Sequence, residues 1–277
     1  MAIPLETWYY DIPVITRTYI TAALSTSLAV QLRLVHPLQL YLNYDLIVYK
    51  RQYWRLLTNF LFFGKFSLDL LFHMFFLARY SRMLEEGSFR NRSADYFWML
   101  VLSSISLVIL CVFVPFTDMP FLGSPLAFTL VYVWSRRNPY IRLNFLGLFV
   151  FSAPWLPWVL LAFSLLIGSN FPTGDLMGIA VGHLYYFLED IWPREPQSGG
   201  RRWLKTPELI VRLIDGPEMM LEREVEEEEE YARDDQQHEE TVPETHQSGI
   251  EATSTEVHRE DHGQENLEAR PAANAFA

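Results

Sequence analysis

In the first 192 residues, few side chains could act as nucleophile, base or ligand, and most of them sit in apolar surroundings. Ser124 follows Gly123 in Leu122-Gly-Ser-Pro-Leu126, and His183 follows Gly182 in a run of small and apolar residues. A serine activated by a neighbouring histidine would cleave a peptide bond within a membrane. The surroundings of Ser124 are not those of a strained nucleophile turn, and a serine just before Pro125 has an ordinary place at a helix start. Asp69 and His73 are four residues apart, so they share a helix face and can hydrogen-bond to each other. No third ligand accompanies them, which argues for a structural pair over a metal site. Cys111 is the only cysteine; it excludes an intrachain disulfide and a multi-cysteine zinc site, and reads as a small buried hydrophobe. No cofactor is expected.

These residues need elements to hold them, and composition says what kind. The chain has 277 residues, half of them hydrophobic, with 20 Phe, 14 Tyr and 8 Trp, yet a formal net charge of -11. The apolar and aromatic residues concentrate before about residue 192, and the acidic balance lies after it. That division predicts two parts, a membrane domain over 1–192 and a disordered acidic tail over 193–277. Glu226 to Glu230 is an unbroken acidic run within that tail, most simply a solvated segment, and no nucleic-acid partner is expected. The N-terminus lacks the basic and apolar regions of a cleaved signal peptide.

Hydropathy predicts six spans: Thr18 to Leu34, Phe66 to Tyr80, Tyr96 to Phe116, Phe121 to Trp134, Phe145 to Ile167 and Leu176 to Leu188. Several are shorter than the ~20 residues of a usual span, so the bilayer around them should thin. Arg79, Arg82, Arg90 and Arg92 cluster after the second span, Arg136, Arg137 and Arg142 after the fourth, and Arg194, Arg201, Arg202 and Lys205 after the sixth. With basic loops inside, both termini face the cytosol. The sequon at Asn91 would then be cytosolic and bare. The first loop, His36 to Gly64, is an exception, carrying Lys50, Arg51 and Arg55 on the other side. Its mixture of aromatic, basic and aliphatic residues suits the headgroup layer. There Trp54 would sit at the interface and Arg55 would pair with lipid phosphates or a carboxylate. Gly178 and Gly182 are four apart in the last span, a spacing that lets two helix backbones press together.

Several blocks, read together, resemble the Derlin family of rhomboid-like pseudoproteases. They are Tyr53-Trp-Arg-Leu-Leu-Thr-Asn-Phe60, Met83-Leu-Glu-Glu-Gly-Ser-Phe-Arg90, Val131-Tyr-Val-Trp-Ser-Arg-Arg-Asn-Pro-Tyr140, Pro154-Trp-Leu-Pro-Trp-Val159, Gly178 to Asp190, and Leu204-Lys-Thr-Pro207. They run in order over about residues 9 to 210. The resemblance implies an all-α membrane protein with a six-helix rhomboid-like bundle, in which Gly178 and Gly182 pack the sixth span on the fourth; a homodimer face is the alternative.

It also implies where a rhomboid protease would carry its catalytic groups. The serine position falls at Gly123, with Ser124 beside it. The histidine position, three residues before Gly178, is Asp175; His183 lies eight residues further on, about two helical turns away. The pair that would stabilise an oxyanion falls at Asp69 and His73, and a carboxylate there would repel it. The expected protein is therefore not an enzyme. It is a component of endoplasmic-reticulum-associated degradation that helps misfolded proteins cross to the cytosol; an active intramembrane serine protease is the alternative. The implied partners are misfolded substrates, a ubiquitin-ligase membrane complex, the lipid bilayer and an AAA unfoldase. The Phe- and Gly-containing box by which animal Derlins recruit that unfoldase is missing from the tail.

Overall fold

The computed structural model describes residues 4–113, 119–145, 149–167, 171–198 and 200–217, together with residues 219 and 225. The chain begins with α1 (Pro4–Tyr10) and α2 (Val14–Gln31). The first loop folds into a 3-10 turn (Pro37–Gln39) and two short helices, α3 (Tyr44–Val48) and α4 (Arg55–Leu61). Then come α5 (Leu68–Met83), running into a widened turn over Leu84–Ser88, and α6 (Ser93–Phe113). α7 (Gly123–Arg137) leads to strands β1 (Arg142–Phe145) and β2 (Phe149–Ser152), and α8 (Leu156–Ile167) follows a 3-10 turn at Ala153–Trp155. α9 (Thr173–Tyr186) widens at Phe187–Ile191, and α10 (Glu208–Ile214) is the last helix among the described residues.

Helix α7 is the axis of the bundle. From Leu126 to Ser135 every residue but Phe128 is buried, so this helix is enclosed all round, chiefly by α5 and α9. Trp134 is almost fully buried against Tyr80 of α5, their rings 4.9 Å apart. The opposite case is α6, which is mostly apolar yet has only seven of its 21 residues buried. Its 21 residues make it about 32 Å long, enough for a hydrocarbon core of about 30 Å. Among the described helices it alone has the length and apolarity to span by itself. α9, with 14 residues, is only about 21 Å long.

Helix starts are capped in two ways. Local side chains serve α3, where Asn43 Oδ1 accepts from Leu46 N, and α5, where Ser67 Oγ accepts from Leu70 N. α2 has Pro13 at its cap position, which offers no side-chain acceptor. Its cap comes from another helix: buried Glu85 accepts from Ile15 N at 3.1 Å and from Thr16 N at 2.8 Å. The Thr16 hydroxyl donates to the same carboxylate at 2.7 Å, and it also touches Ser81. A carboxylate at a helix N-terminus meets both the free amides and the positive end of the dipole. Polar groups so deep in an apolar bundle persist because each is hydrogen-bonded.

Gly178 and Gly182 lie on the face of α9 that meets α7. A Cβ at Gly178 would collide with the backbone carbonyl of Pro125 and with Phe128 Cβ; at Gly182 it would stand 2.9 Å from Tyr132 Cβ. The closeness lets Thr129 Oγ1 share its proton between Pro125 O and Gly178 O, each 3.1 Å away.

Three expectations are corrected. The fifth span does not start at Phe145. Residues 142–145 and 149–152 pair as antiparallel strands, Arg142 with Ser152 and Phe145 with Phe149, so the protein is not wholly helical. The aromatic and β-branched run Phe149-Val-Phe151 suits a strand, and Pro154 cannot continue one, so the helix starts only at Leu156. The compact unit does not end at residue 192 but extends to Leu221. Thr206 Oγ1 donates to Asp95 Oδ1 at 2.6 Å and Asp215 accepts from Ala94 N at 3.0 Å, which straps α10 to the start of α6. The second unit, Glu222–Ala277, holds the acidic run, and the expected disorder there falls outside the described residues. The third correction, to Arg55, belongs with the site below.

The glycine contacts predict a graded series. Gly178→Ala should lower the thermal unfolding midpoint in detergent most, through overpacking of about 1–3 kcal/mol, and Gly182→Ala should lower it less. Gly87→Ala should leave it unchanged, because an added Cβ there meets nothing within 4 Å. Equal midpoints for Gly178→Ala and Gly87→Ala would contradict the packing.

Candidate functional site

Of the residues singled out above, Gly123, Ser124 and His73 meet near the point where the first loop reaches the start of α7. Leu42 N donates to Pro120 O at 2.9 Å, and Leu122 N donates to Asn59 O at 3.1 Å. Tyr19, from α2, donates to Phe60 O at 3.0 Å. Gly123 is pressed into this junction: a Cβ there would lie 2.9 Å from Phe60 O and 3.1 Å from the Phe63 ring. A serine nucleophile has no room at that position.

Ser124, one residue on, is only half-buried, and its Oγ lies 2.9 Å from His73 Nε2 of α5. The sequence suggests a pair between Asp69 and His73, on which the described residues do not bear; the structure in addition brings His73 to Ser124. Chain spacing could not reveal it, since 51 positions separate the two residues. Asp69 occupies the first turn of α5, and its side chain lies outside the described residues. His183 is elsewhere. Its Nδ1 is hydrogen-bonded to the Tyr132 hydroxyl at 2.7 Å, and Tyr132 is eight residues, about 12 Å, along α7 from Ser124. Asp175 is buried in the first turn of α9, where its charge complements the helix dipole. The site thus joins Ser124 with His73, keeps His183 apart, and fills the space at Gly123. Among the described residues no cluster of three His, Cys, Asp or Glu side chains could hold a metal.

The first loop is held by Arg55, in a way that corrects the expectation. Arg55 is 5% exposed, turned into the protein and away from any headgroup layer, and it meets no carboxylate among the described residues. Its Nε donates to Gln52 Oε1 at 2.7 Å, and one terminal nitrogen donates to Leu38 O at 2.9 Å and Tyr41 O at 3.1 Å. The guanidinium also lies 5.0 Å from the centre of the Tyr41 ring. Five donors on one planar cation can serve several carbonyls at once, which makes Arg an internal clamp when those carbonyls would otherwise go unpaired. Trp54, next in sequence, faces the other way and is 56% exposed. It belongs to an outer surface with Leu38, Tyr44, Tyr49, Tyr53 and Leu57, all well exposed. Sequence reading missed Gln52, Tyr41 and Asn59, which complete the clamp. Their polar side chains in an apolar loop were the only signal available.

Comparison with known proteins bears on this arrangement. Residues 12–208 match the Der1-like family. The chain is 50% identical to Derlin-2.1 of Zea mays over 222 residues, 77% of this chain and 88% of that protein. It is 49% identical to Derlin-2.1 of Arabidopsis thaliana over 222 residues, covering 77% and 89%. To Derlin-1.1 of Zea mays it is 40% identical over 214 residues, covering 77% and 86%.

The two adjacent loop residues should behave differently on substitution. Arg55→Ala strands the carbonyls it serves, at about 1–3 kcal/mol for each buried unpaired group, and should lower the unfolding midpoint and open the first loop to protease. Trp54→Ala should stay within about 0.5 kcal/mol of the parent, as exposed positions do. A midpoint for Arg55→Ala equal to that of the parent would refute the clamp.

Proposed function

The chain belongs to the Der1-like family, and from that membership we propose that it is a non-catalytic membrane component of endoplasmic-reticulum-associated degradation. It helps misfolded proteins pass from the endoplasmic reticulum to the cytosol, along a path where the bilayer is thinned. The observation that carries this reading is the family match over residues 12–208. The helix lengths support its mechanism. α8, with 12 residues, is about 18 Å long, and the regular part of α9, with 14 residues, about 21 Å before it widens at Phe187–Ile191; elements this short favour a thinner bilayer beside them. A charged residue costs about 2.5–3.5 kcal/mol at the centre of a full bilayer by insertion scales. A thinner apolar layer lowers that barrier for a polar polypeptide. The exposed aromatic surface around Trp54 is suited to disturb the headgroup layer on one side of the path.

The alternative, an intramembrane serine protease, has one observation in its favour, the Ser124–His73 contact. Against it stand the filled space at Gly123 and the distance of His183 from Ser124. We read Ser124 and His73 as a polar tie between α5 and α7. The six-span topology has both termini in the cytosol, so the arginine-bearing ends of α5, α7 and α9 face that side. Partners on this reading are misfolded substrates, a ubiquitin-ligase membrane complex and, through other subunits, an AAA unfoldase.

A cycloheximide chase of a misfolded endoplasmic-reticulum substrate tests the function. Trp54→Ala should accumulate to parental levels yet slow clearance severalfold, while Ser124→Ala should clear the substrate at the parental rate. Loss of clearance with Ser124→Ala, joined by a cleaved substrate fragment in the parent, would favour the protease. Topology is tested by a glycosylation reporter inserted between residues 168 and 174, which should be modified while native Asn91 stays bare. Modification of Asn91 would invert the orientation.

A further inference from the structure

A cleft of about 420 Å³ opens where α7 ends and α9 gives way to the 3-10 turn Trp192–Arg194. Three arginines line it, Arg136, Arg137 and Arg194, against one carboxylate, Asp190. These charges are not equivalent. Arg137 is committed: its Nε and a terminal nitrogen each lie 3.0 Å from Asp190 Oδ2, and its guanidinium stacks 4.6 Å from the centre of the Phe89 ring. Glu189, half-buried near Arg137, is not a lining residue; burial pushes its carboxyl above the usual range.

Arg136 is in a different state. Its Nε donates to the Tyr132 hydroxyl at 3.1 Å, and Tyr132 is itself tied to His183 Nδ1 at 2.7 Å. That hydrogen bond fixes the plane of the guanidinium while its two terminal nitrogens meet no acceptor among the described residues. Arg194 is exposed and likewise has no ion pair there. The carbonyl end of α7 is quietened by Asn138, whose backbone and side-chain nitrogens both donate to Trp134 O. Two arginines without an ion pair among the described residues therefore line a concave space whose one carboxylate, Asp190, is taken by Arg137, and one of them is held in orientation from behind. Tyr140, 95% exposed, stands at the rim.

We propose that this cleft binds a phosphate-bearing anion, gripped by Arg136 and Arg194, with Arg137 and Asp190 as its fixed wall. Two free guanidiniums match the charge of a phosphomonoester, and their planar forks match its oxygens bidentately. The volume suits a small headgroup, not a folded partner. An exposed tyrosine beside arginines at helix ends is the composition of a membrane interface, so an anionic phospholipid headgroup and a free phosphate are the two sources of this chemistry.

The full chain in zwitterionic nanodiscs, with and without ~5% phosphatidylinositol 4-phosphate, tests it by thermal unfolding and by native mass spectrometry of retained lipid. Parallel samples receive inorganic phosphate or pyrophosphate in place of the lipid. Stabilisation of the parent by the lipid, or by the soluble anions alone, supports the site and tells the two sources apart. Arg194→Gln should weaken binding about tenfold, as expected for loss of one charge-assisted contact. Because Arg136→Gln also breaks the bond to Tyr132, each variant's unfolding without anion serves as its own baseline; Arg136→Lys, which keeps the charge but not the fork, should be stabilised less by the anion than the parent is. Arg201→Gln with Arg212→Gln, which removes more charge outside the cleft, should bind as the parent does. Equal weakening by that control pair, or no binding of lipid or soluble anion by the parent, overturns the proposal.

Discussion

The near contact between the backbones of α7 and α9 is the constraint on which the rest of this bundle depends. Glycines at 178 and 182 let the two helices meet with backbone carbonyl and Cβ atoms of α7 where side chains would otherwise stand. Packing so close lets a buried hydroxyl, Thr129, bridge two carbonyls that no water could reach. It also leaves α7 with almost no free surface. A helix enclosed in this way cannot rotate or slide to make room, since cores rearrange between discrete packings and do not deform smoothly.

That rigidity propagates to the start of α7. Gly174 of α9 faces Met119 and Pro125 on one side, and Gly123 faces Phe60 O on the other. With both approaches filled, Ser124 is the first residue of the helix whose side chain can extend, and it extends to His73. The same junction anchors the first loop through Leu42 N and Asn59 O, while Arg55 closes the loop upon itself. An inward cation and an outward tryptophan on adjacent residues have a clear logic. The cation supplies internal order, so that the aromatic surface outside is presented by a stable element.

At the other end of the bundle, polar groups do the fastening. Glu85 caps a helix 70 positions away in the chain, and Asp95 and Asp215 tie the last helix to α6. Such ties cost desolvation, and they hold because every carboxylate meets a donor that would otherwise be unpaired. They join parts of the chain that hydrophobic contact alone would leave free to shift in register, since apolar helix faces are nearly interchangeable.

What was legible in the sequence was whatever local spacing encodes. The four-residue interval of Gly178 and Gly182 marks a helix face that must meet something flat, and Pro125 directly after Ser124 marks an ordinary helix start. The blocks from Trp54-Arg55 to Leu204-Lys-Thr-Pro207 point to the family, and the family match follows them. Tertiary structure alone decided how distant residues meet. Nothing in the spacing says that Arg55 turns inward to Leu38 and Tyr41, or that Ser124 meets His73 across 51 positions. The strand pair of residues 142–145 and 149–152 escaped because a short run of aromatic and β-branched residues serves equally as a strand or as the start of an apolar helix. The tail was cut too early for a related reason. Polar composition reads as disorder until a partner surface appears, and for residues 204–215 that surface is the first turn of α6, which only the folded chain brings near.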